Sequence, residues 1–386
     1  DDPVIDIALT PDRGDCAGVR GIARDLAAAG LGTLKPLQRS PHQGTFKSEI
    51  GVKISDISGC PLFMGCLIKN VENKDSPTWM QKRLKAVGLR PISALVDITN
   101  YVSLDLCRPL HVYDADLVQG DIHVQHSKEG DQFEALNDKS YTARKGMTAI
   151  TDDSGILGLG GIVGGVSTGC TESTRNVFIE CAYFHPDVTA KTGRALQIES
   201  DARYRFDRGV DPEFVATGTE IAAALVIEIC GGEASEIVQA GDVPAWKRMI
   251  AFDPAYTKKL AGIDIPEKEQ EEILKNLGFV FEGSNVIPPS WRGDIEGKAD
   301  LVEEVVRIYG YDKINSVSLR ADIPVNESAE TISRTRERLA RTALAARGMS
   351  ECVTWSFMPN HLAQKFEAND NAHNSCHALR LTNPIS

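Results

Sequence analysis

The sequence predicts an α+β protein of two or three domains, and three observations carry that expectation. A chain of 386 residues, 42% hydrophobic, is too long for one ordinary core. Stretches of period-2 apolar alternation are interspersed with stretches of helical period, so strands and helices share the chain. Between about 245 and 315 the order helix, helix, hairpin, helix gives a winged-helix-like unit, set off by Asp242-Val243-Pro244.

In chain order, residues 4–9 alternate as a short strand, residues 10–15 form a turn, and residues 19–29 have helical periodicity ending at Gly30. Residues 36–51, with Pro, Ser, Gln and Gly, read as a linker. A strand-rich region opens at Cys60, and residues 77–87 form an amphipathic helix. Residues 89–116 hold a buried segment with apolar positions at 95, 96, 98, 101, 102 and 104. Asp97, Thr99 and Asn100 interrupt it with groups that need hydrogen-bond partners once buried. Residues 122–126 alternate as a strand, and residues 149–155 read as a strand and hairpin turn. Residues 178–184 form an apolar strand that contains Glu180. Residues 217–230 form a helix closed by Gly231 and Gly232. Helices follow at 254–261 and 266–277, a strand at 279–281, its hairpin partner at 286–288, and a helix at 300–309. An arginine-rich helix then runs over 332–347, and residues 353–357 begin another strand.

One echo is internal. Arg13-Gly14-Asp15 followed by Ile22-Ala23-Arg24-Asp25-Leu26 parallels Arg292-Gly293-Asp294 followed by Leu301-Val302-Glu303-Glu304-Val305 at the same offset. Both are strand, turn and helix. Residues 1–35 are therefore expected to be half of a second unit like the one at 245–315.

A formal net charge of −12 argues against a protein that binds polyanions through overall basicity. Residues 264–304 are acidic where a DNA-recognition helix should be basic, so a winged-helix regulator is disfavoured. The nine cysteines, at 16, 60, 66, 107, 170, 181, 230, 352 and 376, show no paired CxxC spacing and read as reduced, cytoplasmic thiols. No apolar run approaches a membrane span. The absence of an initiator methionine and the halt at Pro384-Ile385-Ser386 suggest a piece of a longer polypeptide. Gly158-Leu159-Gly160-Gly161-Ile162-Val163-Gly164-Gly165 lacks the register of a dinucleotide-binding loop, and its glycines instead permit close backbone approach. The two Arg-Gly-Asp tripeptides belong to the repeat and not to an adhesion motif.

Taken together, residues 89–116, Phe178-Ile179-Glu180-Cys181-Ala182-Tyr183-Phe184 and the run from Ser200 to Pro212 resemble the beta subunit of bacterial phenylalanyl-tRNA synthetase, in its B3/B4 editing module. The resemblance extends along essentially the whole chain. Thr10-Pro11-Asp12-Arg13-Gly14-Asp15 resembles that family's TPNRPD, with Asp12 and Gly14 departing from it. The resemblance implies a partial B1-like, B5-like unit and linker at 1–45, a mixed-sheet B3/B4 tRNA-editing domain at 46–243 and a winged-helix-like B5 domain at 244–316. Residues 317–386 would begin an incomplete, noncatalytic class II synthetase-like α/β domain.

It also implies an α2β2 ligase with an alpha subunit that carries the ATP and phenylalanine chemistry, acting on tRNAPhe without DNA or membrane. This chain would then hydrolyse mischarged Tyr-tRNAPhe. A carboxylate suits the reading of tyrosine's hydroxyl, because phenylalanine would leave a buried acceptor unpaired at about 1–3 kcal/mol. Glu180 is implied as that reader, and a salt bridge to Arg205 or Arg208 is the alternative, since an unpaired carboxylate in an apolar strand is costly. His111, in a PMHAF-like Pro109-Leu110-His111-Val112-Tyr113, would orient water or the ester or shuttle a proton. Thr99, Ser200 and Ala202 match further pocket positions. Gly161 and Gly164 would admit the substrate to backbone amides, and Arg90 would contact the acceptor end of the tRNA. Nothing resembles a Ser-His-Asp arrangement, so direct hydrolysis by positioned water is expected.

Asp294, Asp300, Glu303 and Glu304 form a second constellation, the last three on one helix face at i, i+3 and i+4. Carboxylates without His or Cys suit Mg²⁺, which the resemblance implies is shared with the alpha subunit; an acidic solvated face is the alternative. The echo has Arg24 where Glu303 stands, so no metal is expected there. A noncatalytic tRNA-docking or structural module is the alternative to editing, and predicts a pocket filled by the chain's own side chains.

Overall fold

The structure is a computed structural model that describes residues 3–38, 43–318, 330–366 and 379–382. It divides into two units, Asp1–Asn315 and Ser316–Ser386. In the first unit, helix α1 (Val19–Ala28) leads to strands β1 (Val52–Ile54) and β2 (Leu62–Lys69), then helices α2 (Thr78–Ala86) and α3 (Ala94–Leu106). Seven short strands follow: β3 (His111–Asp114), β4 (Ile122–His126), β5 (Gln132–Ala135), β6 (Lys139–Thr142), β7 (Thr148–Asp152), β8 (Gly155–Leu159) and β9 (Val163–Gly164). Then come β10 (Val177–Tyr183), α4 (Pro186–Leu196), α5 (Asp201–Phe206), α6 (Phe214–Cys230), β11 (Glu233–Ala234) and β12 (Val238–Gly241).

Two five-stranded sheets organise this part. One runs β1-β4-β7-β8-β9 with β1 parallel to β4; the other runs β11-β2-β10-β3, with β12 also on β2, all antiparallel. Strand β10 is central and almost wholly buried, which explains why its sequence is continuously apolar. One face of its sheet packs on α2, α3 and α6, where Ile68, Ile98, Val112, Ile179 and Val226 meet. The other faces the first sheet through Phe63, Tyr113, Phe178, Ile150 and Leu157. The buried segment of the sequence is α3. Its Asp97, fully buried, accepts from Ser76 Oγ at 2.5 Å and from the Ile92 amide at 2.9 Å, so the polar interruption is a pin between loops.

The winged-helix-like part consists of β13 (Ile250–Ala251), α7 (Pro254–Ala261), α8 (Glu267–Asn276), β14 (Val280–Glu282), β15 (Asn285–Ile287) and α9 (Lys298–Tyr309), with sheet order β13-β15-β14. The internal echo is geometric. Arg13 pairs with Asp15 at 2.9 Å and Asp25 at 3.0 Å, while Arg292 pairs with Asp294 at 2.6 Å and with Glu304. These partners stand at the same offsets. Arg307 then joins the copies, reaching Asp25 and Glu304 at 2.7 Å each.

The second unit holds α10 (Ile332–Ala346) and α11 (Asn360–Phe366). Thr331 caps α10, and Arg341 pairs with Glu337 at 3.0 Å. Two expected strands do not form. Residues 4–9 and residues 353–357 pair with no strand among the described residues, and Ile5, Val353 and Trp355 are exposed. Alternation alone makes no strand without a neighbouring ladder. The expected linker at 36–51 lies partly outside the described residues, and Cys376 and the end of the chain from 383 lie wholly outside them.

Candidate functional site

The register of β10 against β3 sets Glu180 opposite His111 and Phe178 opposite Tyr113. Side chains alternate along a strand, so these four share the face turned toward the first sheet. Gly65 of β2 stands opposite Glu180, and a Cβ there would lie 2.1 Å from Cζ of Phe178. Only glycine leaves that ring its place. Across the gap, the turn after β8 supplies Gly161, β9 supplies Gly164, and α5 supplies Ala202 and Phe206. Together they enclose a cavity of about 70 Å³, large enough for water.

The two glycines are constrained for different reasons. Gly161 has φ +69°, a left-handed backbone that disfavours any side chain. At Gly164 an added Cβ would come within 2.4 Å of His111 Cε1, so its missing side chain is the seat of the imidazole. Ser200 holds this turn indirectly. As the N-cap of α5 it accepts from the Arg203 amide at 3.1 Å and donates to the Ile162 carbonyl at 2.6 Å.

Glu180 is 7% exposed and no lysine or arginine lines its cavity. Burial pushes its carboxyl up to about 7, against a hydrogen bond from the Tyr113 hydroxyl to Oε2 that pulls the other way. The salt-bridge alternative fails on geometry. Arg205 donates to the Ala17 carbonyl at 3.1 Å and to Asp201, while Arg208 lies over the Tyr204 ring and pairs with Asp207 at 3.0 Å. Burial also drives His111 down to about 4, leaving it neutral near pH 7, and its buried Nε2 has no hydrogen-bond partner among the described residues. Its ring meets Tyr113 edge-on at 4.5 Å.

Five of the eight residues expected at this site, His111, Glu180, Gly161, Gly164 and Ala202, line the cavity. Ser200 supports it from outside. Thr99 does not line it: it sits on α3, and its hydroxyl donates to the Val96 carbonyl at 2.8 Å. Arg90 is exposed in the loop between α2 and α3 and also stands apart. Sequence reasoning missed Tyr113 and Arg108. Tyr113 was legible as an aromatic two residues past His111 on a strand, hence on the same face. Arg108, fully buried, donates to the Ala182 carbonyl at 3.1 Å and to the Asp211 carbonyl, tying the end of β10 to the loop before α6.

The acidic constellation does not converge. Glu304 accepts from Arg292 and Arg307; burial opposes its ionisation, but these hydrogen bonds prevail and hold it down at about 2. Asp294 is taken by Arg292. Asp300 accepts the amides of Glu296 and Gly297 at 2.8 Å each, capping α9, and Glu303 is exposed. Among the described residues no group of three or more His, Cys, Asp or Glu is placed to hold a metal. The four carboxylates of this chain therefore do not fit a magnesium ion as a set.

Comparison with known proteins places these elements in a family. The model of the B3/4 domain matches residues 59–231, that of the tRNA synthetase B5 domain residues 250–311, and that of the phenylalanyl tRNA synthetase beta chain CLM domain residues 318–386. The phenylalanine–tRNA ligase beta subunit of Paramagnetospirillum magneticum is 50% identical over all of this chain and 48% of its own length. The chain belongs to the phenylalanyl-tRNA synthetase beta-chain family. The corresponding subunit of Cereibacter sphaeroides is 48% identical over the same shares, so the chain spans about half the length of the curated relatives it matches. A crystal structure of an N-terminal fragment of the beta subunit from Pyrococcus horikoshii aligns with 79% of this chain and 86% of that one, at 16% identity and a TM-score of 0.39. Within the beta-chain frame, the cavity between the two sheets lies wholly inside the B3/4 match.

Proposed function

We propose that the B3/4 domain hydrolyses the ester of tRNAPhe wrongly charged with tyrosine, as part of a phenylalanine–tRNA ligase whose alpha subunit performs the ATP-dependent synthesis. The observation that carries this reading is Glu180, a buried carboxylate with no cation beside it, whose hydrogen-bond donor is a phenolic hydroxyl. A site that holds a carboxylate this way favours a tyrosine side chain, which brings a phenol, over phenylalanine, which brings none. At about 1–3 kcal/mol for the unpaired acceptor, the preference amounts to roughly 5- to 150-fold.

His111 is too weak a base near pH 7 to strip a proton from water efficiently. Its free Nε2 instead accepts a hydrogen bond from the attacking water and aims it at the ester carbonyl, while the ribose oxygen leaves with the proton the water gives up. The cavity is not filled by the chain's own side chains, which supports catalysis over a purely structural module. The ligase would be an α2β2 heterotetramer acting on tRNAPhe. Magnesium, if the alpha subunit supplies further ligands, would draw on Asp300 and Glu303, the carboxylates that no arginine claims.

The test is deacylation of Tyr-tRNAPhe and Phe-tRNAPhe by the full-length beta chain assembled with its alpha subunit. Faster loss of tyrosine is expected. Equal rates for both esters, or none above the uncatalysed rate, would contradict the reading.

A further inference from the structure

We propose that Tyr113 is a specificity-determining positioning residue: its hydroxyl occupies Oε2 of Glu180 and leaves Oε1 as the single acceptor offered to a substrate phenol. The inference rests on the editing reading above and names the group that tunes it. Tyr113 lies one strand away and two residues along from the position opposite Glu180, so their contact is a diagonal across the β3–β10 pair. The residue is 2% exposed, with its ring held edge-on against His111, which fixes the direction from which the hydroxyl reaches Oε2. Oε1 has no hydrogen bond among the described residues, and Glu180 lines the cavity.

Two effects of this contact oppose each other. By satisfying one oxygen, Tyr113 softens the penalty for binding phenylalanine. By favouring the ionised form, it keeps Glu180 a charged acceptor near neutrality, and a charged acceptor discriminates more strongly than a neutral carboxyl, which escapes the penalty by holding its own proton. The second effect dominates where the carboxyl titrates near the working pH, and burial has put it there at about 7. The titratable groups around Glu180 are His111 and Tyr113 on β3, Cys60 ahead of β2 and Cys181 beside it on β10, with Asp152 of β7 acting on Tyr113. From α5 and the first sheet, the cavity wall receives only uncharged residues such as Ala202, Phe206, Ile150 and Leu159. Tyr113 is thus the hydroxyl that donates to Glu180 and, against burial, favours its charged form.

The experiment is the tyrosine-to-phenylalanine ratio of deacylation rates against pH, in the assembled ligase. Wild type should show the ratio rising through an inflection near pH 7. Tyr113→Phe should move that inflection upward by at least about one pH unit and lower the ratio several-fold at pH 7. 3-Fluorotyrosine at position 113, a more acidic phenol of nearly the same shape, should move the inflection downward and serves should Tyr113→Phe unfold. If wild type shows no preference for the tyrosine ester, the editing reading itself fails. If wild type discriminates but neither variant shifts the inflection, even with both esters slowed alike, Tyr113 is a packing residue and the proposal is overturned.

Discussion

Replacing Glu180 by glutamine removes a charge that the fold holds at a cost, and the size of the effect follows from where the carboxyl titrates. Burial raises it from an ordinary 4.5 to about 7. A carboxyl raised in the folded state contributes stability that is fully present below its unfolded value and is lost as pH rises through its folded one. Between about pH 5 and about pH 8 the loss comes to roughly 2.5 kcal/mol, out of at most about 3.4 kcal/mol. Glutamine keeps an oxygen for the Tyr113 hydroxyl but has no charge to lose. Glu180→Gln should therefore match wild type within about 1 kcal/mol near pH 5 and exceed it by about 3 kcal/mol near pH 8. For a domain of this size that is roughly 5–10 °C in melting temperature. His111, depressed to about 4, loses its contribution at the acid end, as pH falls below 6.5, and does so in both proteins, so the comparison cancels it. Melting curves of both proteins at matched pH values decide the matter. Parallel pH profiles would show that Glu180 is not a strained, buried charge, and the argument for it as a polar reader would lose its energetic basis.

Three further outcomes follow from named contacts. Gly164→Ala places a methyl group in the seat of His111 and should slow deacylation of both esters by about 100-fold while leaving their ratio unchanged, since the water and not the side-chain reader is displaced. Arg292→Ala takes from Asp294 its ion-pair partner and leaves Glu304, itself 2% exposed, to Arg307 alone, and should destabilise the B5 part by about 1.5–3 kcal/mol in denaturant unfolding. Asp300→Ala removes the cap of α9 and should cost about 1 kcal/mol, measured as the same shift in melting temperature with and without Mg²⁺; a shift confined to the magnesium sample would show metal binding there.

The parts of the fold legible in the sequence are those whose signal is local. The continuous apolar run of β10, the glycines closing α6 and the helix-helix-hairpin order of the B5 part all read correctly from periodicity and punctuation. Glu180 stood out because a carboxylate in such a run demands a partner, yet which partner depends on strand register, and Tyr113 lies 67 residues away. Thr99 stands outside the cavity because α3 packs on the sheet face opposite to Glu180, and Arg90 stands apart in the loop between α2 and α3, placements that only the tertiary structure decides. The spacing of Asp300, Glu303 and Glu304 was legible as one helix turn, but not that Glu304 is buried while Glu303 is exposed. The four carboxylates do not converge because Arg292 and Arg307 claim Asp294 and Glu304, and helical spacing carries no information about charges arriving from another segment. The echo at Arg13 and Arg292 was stronger than sequence alone suggested, since each arginine pairs with carboxylates at identical offsets.

The central claim, that this carboxylate reads the hydroxyl that distinguishes tyrosine from phenylalanine, is tested most directly by the deacylation rates of Tyr-tRNAPhe and Phe-tRNAPhe in wild type and in Glu180→Ala, both as assembled ligase. The ratio should fall from roughly 5- to 150-fold in favour of tyrosine to near unity, with the phenylalanine rate retained or raised because no acceptor is left unpaired. An unchanged ratio in Glu180→Ala would contradict the account.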